Sequence, residues 1–286
     1  MARPRHVARG VDLFPARTPT LPPATHTNSY ALGDRELILV EPATPYEDER
    51  RAWVEWARAL ESQGRRVVAI VLTHHHVDHV GGAEFFAKEL GLPLWAHEAT
   101  AALLPDLRMD RRLAEGEEIA LEGEMPSRWR VLHTPGHAPG HVCLHEAESG
   151  TVVVGDMVAS VGTILIPPDS GDMAEYLRQL ERLAALDAQV ALPAHGEPIA
   201  KETAGHSPTE LFRYYVTHRL KREEKVRAAL EQVGAEGARL EALVPLAYAD
   251  TPVVMWPVAQ MSLEAHLIKL EREGRARRAG EGWARG

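Results

Sequence analysis

Apolar residues recur along this chain with two periods, and the switches between them lay out the predicted elements. SYALGDRELILVEP reads as two strands joined at Gly33-Asp34. From Asp48 to Gln63, Trp53, Trp56, Ala57 and Leu60 recur at spacings of three and four, the stripe of an amphipathic helix that Gly64 would end. RVVAIVLT is a continuous run rich in β-branched residues, which predicts a buried strand ending near Thr73. A helix beginning after Gly82 and reaching Gly91 then carries Phe85, Phe86 and Leu90. Strand, loop and helix in this order predict an α/β architecture. Residues 1–27 are rich in proline and arginine, and an irregular lead-in is expected there.

The arrangement recurs downstream. RWRVLHT is a strand running into PGHAPG, HVCLHE and TVVVGD form a hairpin around Glu148, Ser149 and Gly150, and AQVALPAHG is a short strand ending at a proline. DMAEYLRQLERLAALD is an amphipathic helix with Tyr176, Leu177, Leu180 and Leu183 on one face and Asp172 or a neighbour as its cap. From Pro208 the character changes to a long helix ending at Gly234, then LEALVPLAYAD, a helix with Leu263, Leu267 and Leu270 on one stripe, and a hairpin in RARRAGEGWAR. That order predicts a winged-helix-like domain over residues 208–286, after a catalytic domain over residues 1–207.

Composition narrows the class. The net charge of -9 argues against a general nucleic-acid binder, although from residue 216 onward 12 Lys+Arg face 10 Asp+Glu. Within that tail, Arg219, Lys221, Arg222 and Lys225 read as a solvated helix face, and Arg275, Arg277 and Arg278 are the better candidates for phosphate contacts. Tyr214, Tyr215, Trp53 and Trp56 are expected in the core. Cys143, the single cysteine, is expected to be a small buried residue and fits a reducing compartment. No apolar run is long enough to span a membrane, so a cytoplasmic protein is expected; Arg3, Arg5 and Arg9 give a transit peptide weaker support.

The strongest chemical signal is THHHVDHVGG, which puts His74, His76, Asp78 and His79 just after a buried strand. Imidazole and carboxylate are the donors that zinc, manganese and iron accept. His137 in HTPGHAPGH, Asp156 in VVVGD and His195 in LPAHG each follow another apolar strand. Ligands gather beyond the carboxyl ends of strands in open α/β architectures, so these residues can converge. His74, His76 and His137 would hold one ion, Asp78, His79 and His195 a second, and Asp156 would bridge them. His75 is expected to face away from the site. His133, His141 and His145 are expected to be hydrogen-bonded structural histidines, with His141, next to the loop, the candidate for an exception.

With its His-x-His-x-Asp-His box at His74 to His79, the chain resembles the metallo-β-lactamase superfamily over residues 20–207. GTILIPPDSGDMAEYLRQLERL, PAHG and the tail segments HRLKREEKV and AHLIKLEREGRA are similar to the lactamase-β-like protein 2 endoribonuclease group. The resemblance implies a four-layer αββα sandwich, two divalent metal ions with zinc favoured over manganese or iron, and a metal-held hydroxide as nucleophile, with Asp78 as the catalytic group that orients the water and takes its proton. It also implies a phosphodiesterase acting on single-stranded RNA. A thioester or lactone hydrolase of the glyoxalase II type acting on a small-molecule ester or thioester is the alternative, and a nucleic-acid-binding protein with a vestigial metal site is the non-enzymatic one. The oligomeric state stays open, a homodimer included. The sequence departs from the group at VEPATP, which stands where Asp-Pro-Gly is common after the second strand.

Overall fold

The computed structural model describes residues 4–286, so Arg3 lies outside the described residues. The chain divides into two compact units, the first comprising residues 1–134, 139–163 and 186–209, the second residues 135–138, 164–185 and 210–286.

The first unit opens with a correction. The expected irregular lead-in contains two strands, β1 (Arg5–Ala8) and β2 (Val11–Arg17), and β2 pairs along its whole length with β3 (His26–Gly33). The proline and arginine content masked a period of two: Val11 and Leu13 face one core, Phe14 and Ala16 the other. Pro15 lies past the last pairing of β1, Arg5 with Leu13, at a position where an edge tolerates proline. Arg5 and Arg9 are ion-paired with Glu197 and Glu148.

β4 (Glu36–Val40), α1 (Glu47–Ser62) and β5 (Arg66–Val71) match the predicted elements. α2 (Val77–Val80) is a single turn inside the histidine box, and α3 (Ala83–Leu90) ends at left-handed Gly91 as expected. β6 (Leu94–His97), α4 (Glu98–Ala102), β7 (Arg111–Leu113) and β8 (Glu118–Leu121) are too short to show a period. β9 (Ser127–His133), β10 (Val142–Glu146) and β11 (Thr151–Gly155) follow. α5 (Met173–Ala184) belongs to the second unit and is capped by the Asp172 carboxylate. β12 (Val190–Pro193), β13 (Ile199–Ala200) and α6 (Lys201–Ala204) complete the first unit.

Sheet one runs β1 to β7 in chain order, and sheet two runs β13-β12-β11-β10-β9-β8. The alternation along β4 explains the layering: Leu37 and Leu39 pack under Trp53, Trp56 and Phe86 of α1 and α3, while Ile38 and Val40 face Val131, Val142, Leu144 and Val153 of sheet two. This α/β sandwich is the architecture expected. β5 runs parallel to β4, and β12 parallel to β11, so their carboxyl ends lie side by side within each pair. Hydrogen bonds join the sheets, among them Val142 N to Thr73 O at 2.9 Å, the Tyr30 hydroxyl to Pro193 O at 2.7 Å and Asn28 Nδ2 to Pro193 O at 2.9 Å.

In the second unit, α7 (Pro208–Val233), α8 (Leu240–Ala247), α9 (Trp256–Arg272), β14 (Ala276–Ala279) and β15 (Gly282–Arg285) follow the winged-helix order. Leu263, Leu267 and Leu270 pack on Val226, Leu230 and Trp283 as their spacing predicts. Several polar residues differ from expectation. Arg219 is 4% exposed and donates to Ile164 O instead of lying on a solvated face. Arg222 and Lys225 both reach Asp250, at 2.8 Å, and Lys225 stays exposed as expected of a solvated face. Tyr214 is 62% exposed, whereas Tyr215 is buried, because adjacent helix positions cannot share a face. The wing arginines have acidic neighbours at the end of the preceding helix, close in sequence as well as in space: Arg275 lies 3.9 Å from Glu273, and Arg278 3.9 Å from Glu271. No helix among the described residues is long and apolar enough to cross a membrane.

Candidate metal centre

Each polar group of the centre follows a strand whose apolar residues are buried, so the core fixes where the polar ends emerge. β5 leads through Thr73 into His74, His76, Asp78 and His79; β11 leads into Asp156; β12 leads through Ala194 into His195. α2 changes how the box presents its groups. His76 precedes the helical turn, and Asp78 and His79 lie on it.

Within the first unit these residues come together. His195 Nε2 lies 3.3 Å from Asp156 Oδ1 and 3.5 Å from Asp78 Oδ2. His79 Nε2 lies 3.6 Å from Asp156 Oδ2 and 3.8 Å from Asp78 Oδ2. Donor atoms of Asp78, His79 and His195 all fall within 4.8 Å of one another. His74 Nε2 approaches His76 Nδ1 at 3.0 Å, and the rings of His74 and His79 are 4.0 Å apart. His137 belongs to the second unit, where it is buried and its Nδ1 donates to Leu165 O at 2.8 Å.

The electrostatics fit a cation. Burial opposes charging of His79, but the carboxylates of Glu41, Asp156 and Asp78 outweigh it and hold its pKa well above the imidazole range. Burial likewise opposes ionisation of Asp156, and His195 and His79 overcome it, pulling its pKa well below the carboxylate range. For His195, burial is outweighed by Asp156, and the pKa rises. His79 Nε2 is buried without a hydrogen-bond partner, although it faces two carboxylates. A buried imidazole nitrogen so placed is what a metal ligand looks like before its ion is added. Backbone groups set the remaining rings: His195 Nδ1 donates to His26 O at 3.0 Å.

The sequence reading missed one support. Glu41, at the departure VEPATP, is buried and accepts from Thr73 Oγ1 at 2.5 Å and His79 Nδ1 at 3.0 Å. A carboxylate directly after the apolar run ELILV was the available signal. His141 is structural, as the commoner explanation held: its Nδ1 meets Thr134 Oγ1 at 2.8 Å, and its Nε2 accepts from Asp156 N at 3.1 Å, which fixes the Asp156 backbone. His133 stacks on His97 with ring centroids 3.9 Å apart and donates to Pro139 O. Cys143 is buried, as expected.

The chain is similar to known proteins along most of its length. The sequence model for the metallo-beta-lactamase superfamily matches residues 22–195, and that for the beta-lactamase associated winged helix domain matches residues 240–283. The chain is 31% identical over 261 residues to a beta-lactamase-like protein 2 homolog of Drosophila melanogaster, covering 88% of this chain and 84% of that protein. It is 34% identical over 189 residues to a hydroxyacylglutathione hydrolase of Acidiphilium cryptum, covering 64% of this chain and 67% of the enzyme. Among solved structures, a metallo-beta-lactamase family protein from Thermus thermophilus aligns with a TM-score of 0.77 and 26% identity, over 97% of this chain and 99% of that one.

Proposed function

This chain belongs to the metallo-beta-lactamase superfamily, and from that premise we propose that it is a hydrolase cleaving phosphodiester bonds of single-stranded RNA with two divalent ions, zinc first among them. In this reading His74, His76 and His137 would hold one ion and Asp78, His79 and His195 the other, with Asp156 as a further ligand. The observation that carries it is the convergence of Asp78, His79 and His195 around a buried imidazole nitrogen that no protein group satisfies. Two ions bound there would supply Lewis acidity toward a phosphoryl oxygen and bring the pKa of a water down toward neutrality.

The chain's own residues supply the rest. Asp78 is the half-buried carboxylate of the group, with Oδ2 3.5 Å from His195 Nε2, and its role is to orient the attacking water and accept its proton. The His26 carbonyl holds the His195 ring so that Nε2 faces the carboxylates. RNA as substrate is supported by the similarity to a beta-lactamase-like protein 2 homolog over 88% of the chain, which reaches into the winged-helix part. A second reading, thioester or lactone hydrolysis, is supported by the 34% identity to a hydroxyacylglutathione hydrolase. A cytosolic setting fits the single buried cysteine.

The deciding experiment loads purified protein with zinc or manganese and offers it an unstructured RNA oligonucleotide beside a panel of thioesters and lactones. RNA cleavage that disappears in His74→Ala is expected. Intact RNA alongside rapid thioester turnover would replace the first reading with the second.

A further inference from the structure

The rings of His74 and His79, assigned to different ions in the reading above, are tied to the same buried oxygen. The Thr73 hydroxyl has one proton, and it goes to Glu41 Oε1 at 2.5 Å. In its other contact, 3.0 Å from His74 Nδ1, the same hydroxyl must therefore accept. His74 then carries its proton on Nδ1 and turns a bare Nε2 toward His76. His79 Nδ1 donates to the same Glu41 oxygen at 3.0 Å, which leaves its Nε2 for an ion.

We propose that Glu41 is a positioning residue for both metal positions at once, fixing His79 directly and His74 through the Thr73 hydroxyl. The proposal rests on the two-ion reading above. The backbone supports it: Glu41 has φ 63, a left-handed value that a glutamate rarely adopts, and is one of two such non-glycine residues among those described. Three hydrogen bonds hold it there, from Glu41 N to Val71 O, from Ser29 Oγ to Glu41 O and from Ala43 N to Glu41 O. Strain of this kind persists where the surroundings impose it, and here it aims one carboxylate at two histidine supports. The second oxygen, Oε2, is buried without a partner, so the residue is enclosed and committed on one side only.

The test is a zinc titration against a chromophoric chelator on wild type, Glu41→Gln and Thr73→Val. Wild type is expected to bind two ions. Glu41→Gln should weaken both positions by roughly 10–100-fold, while Thr73→Val should weaken one by a similar factor and leave the other nearly unchanged. Equal effects of the two variants, or a folded Glu41→Gln with wild-type affinity at both positions, would overturn the proposal. A second measurement does not depend on either variant folding: histidine nitrogen NMR of zinc-loaded wild type should find the His74 and His79 protons on Nδ1, and a proton on Nε2 of either ring refutes it. A wild type that takes up fewer than two ions defeats the two-ion reading itself, and this proposal with it.

Discussion

Replacing Gly155 by alanine tests whether the floor of the centre is as tightly fixed as its hydrogen bonds indicate. Gly155 has φ 47, and a Cβ there would stand 2.6 Å from His141 Nε2 and 3.2 Å from Thr73 Oγ1. The ring cannot easily withdraw, because it is buried and held on its far side by Thr134 Oγ1 at 2.8 Å. A left-handed alanine costs about 1–2 kcal/mol. Overpacking adds about 1–3 kcal/mol. Loss of the bond from Asp156 N to His141 Nε2 adds about 0.5–1.5 kcal/mol. We expect a total of about 3–5 kcal/mol, a large part of the roughly 5–15 kcal/mol that domains possess. The assay is urea unfolding followed by tryptophan fluorescence, with chelator present so that lost metal binding is not counted. In a His141→Ala background the clash is gone, and only the backbone cost of about 1–2 kcal/mol should remain. A total below about 1 kcal/mol, or the same cost in both backgrounds, would refute the reasoning.

Two further outcomes are expected. Chelation should lower the thermal midpoint of zinc-loaded protein by several degrees, because an ion present at about 1,000 times its Kd contributes about 4 kcal/mol to stability; an unchanged midpoint in differential scanning fluorimetry would argue that ions are not bound by the folded chain. In the second unit, burial raises the pKa of Glu223, but His266 and Lys269, the latter with Nζ 2.9 Å away, together lower it further, to below the ordinary value of 4.5. A depressed folded pKa contributes stability above the unfolded value that is lost as pH falls through the folded one. Glu223→Gln should thus cost about 1.5–3 kcal/mol near neutrality and converge on wild type only as pH falls below the ordinary carboxylate range, as read by urea midpoints from neutrality into acid.

The parts of this fold that were legible in the sequence share a cause. β5, β11 and β12 are apolar runs buried on both sides, so their pattern does not depend on knowing the partner strand. The polar residues just past them, His74 to His79, Asp156 and His195, could be assigned to one end because strand polarity fixes which end that is. The parts that stayed hidden depend on partners distant in sequence. β2 keeps a period of two, yet its proline and arginines resemble a loop until β3 is known to lie beside it. Arg219 resembles a solvated charge until Ile164 O, 55 positions away, is seen to accept its hydrogen bond.

Glu41 is the clearest case, because the substitution that made the sequence look irregular is the one whose geometry carries most. The expected aspartate is one methylene shorter, and a glutamate after the second strand reads as a weakened motif when only spacing is considered. Its position is decided by three contacts made 12 to 38 residues away, from Ser29, Thr73 and His79. None of these is a local propensity. A left-handed glutamate is disfavoured by its own backbone, so local rules predict against the conformation that brings its carboxylate between two histidine supports. Sequence reasoning fails at this point for a physical reason: the site imposes the conformation, and the same contacts that impose it orient His74 and His79.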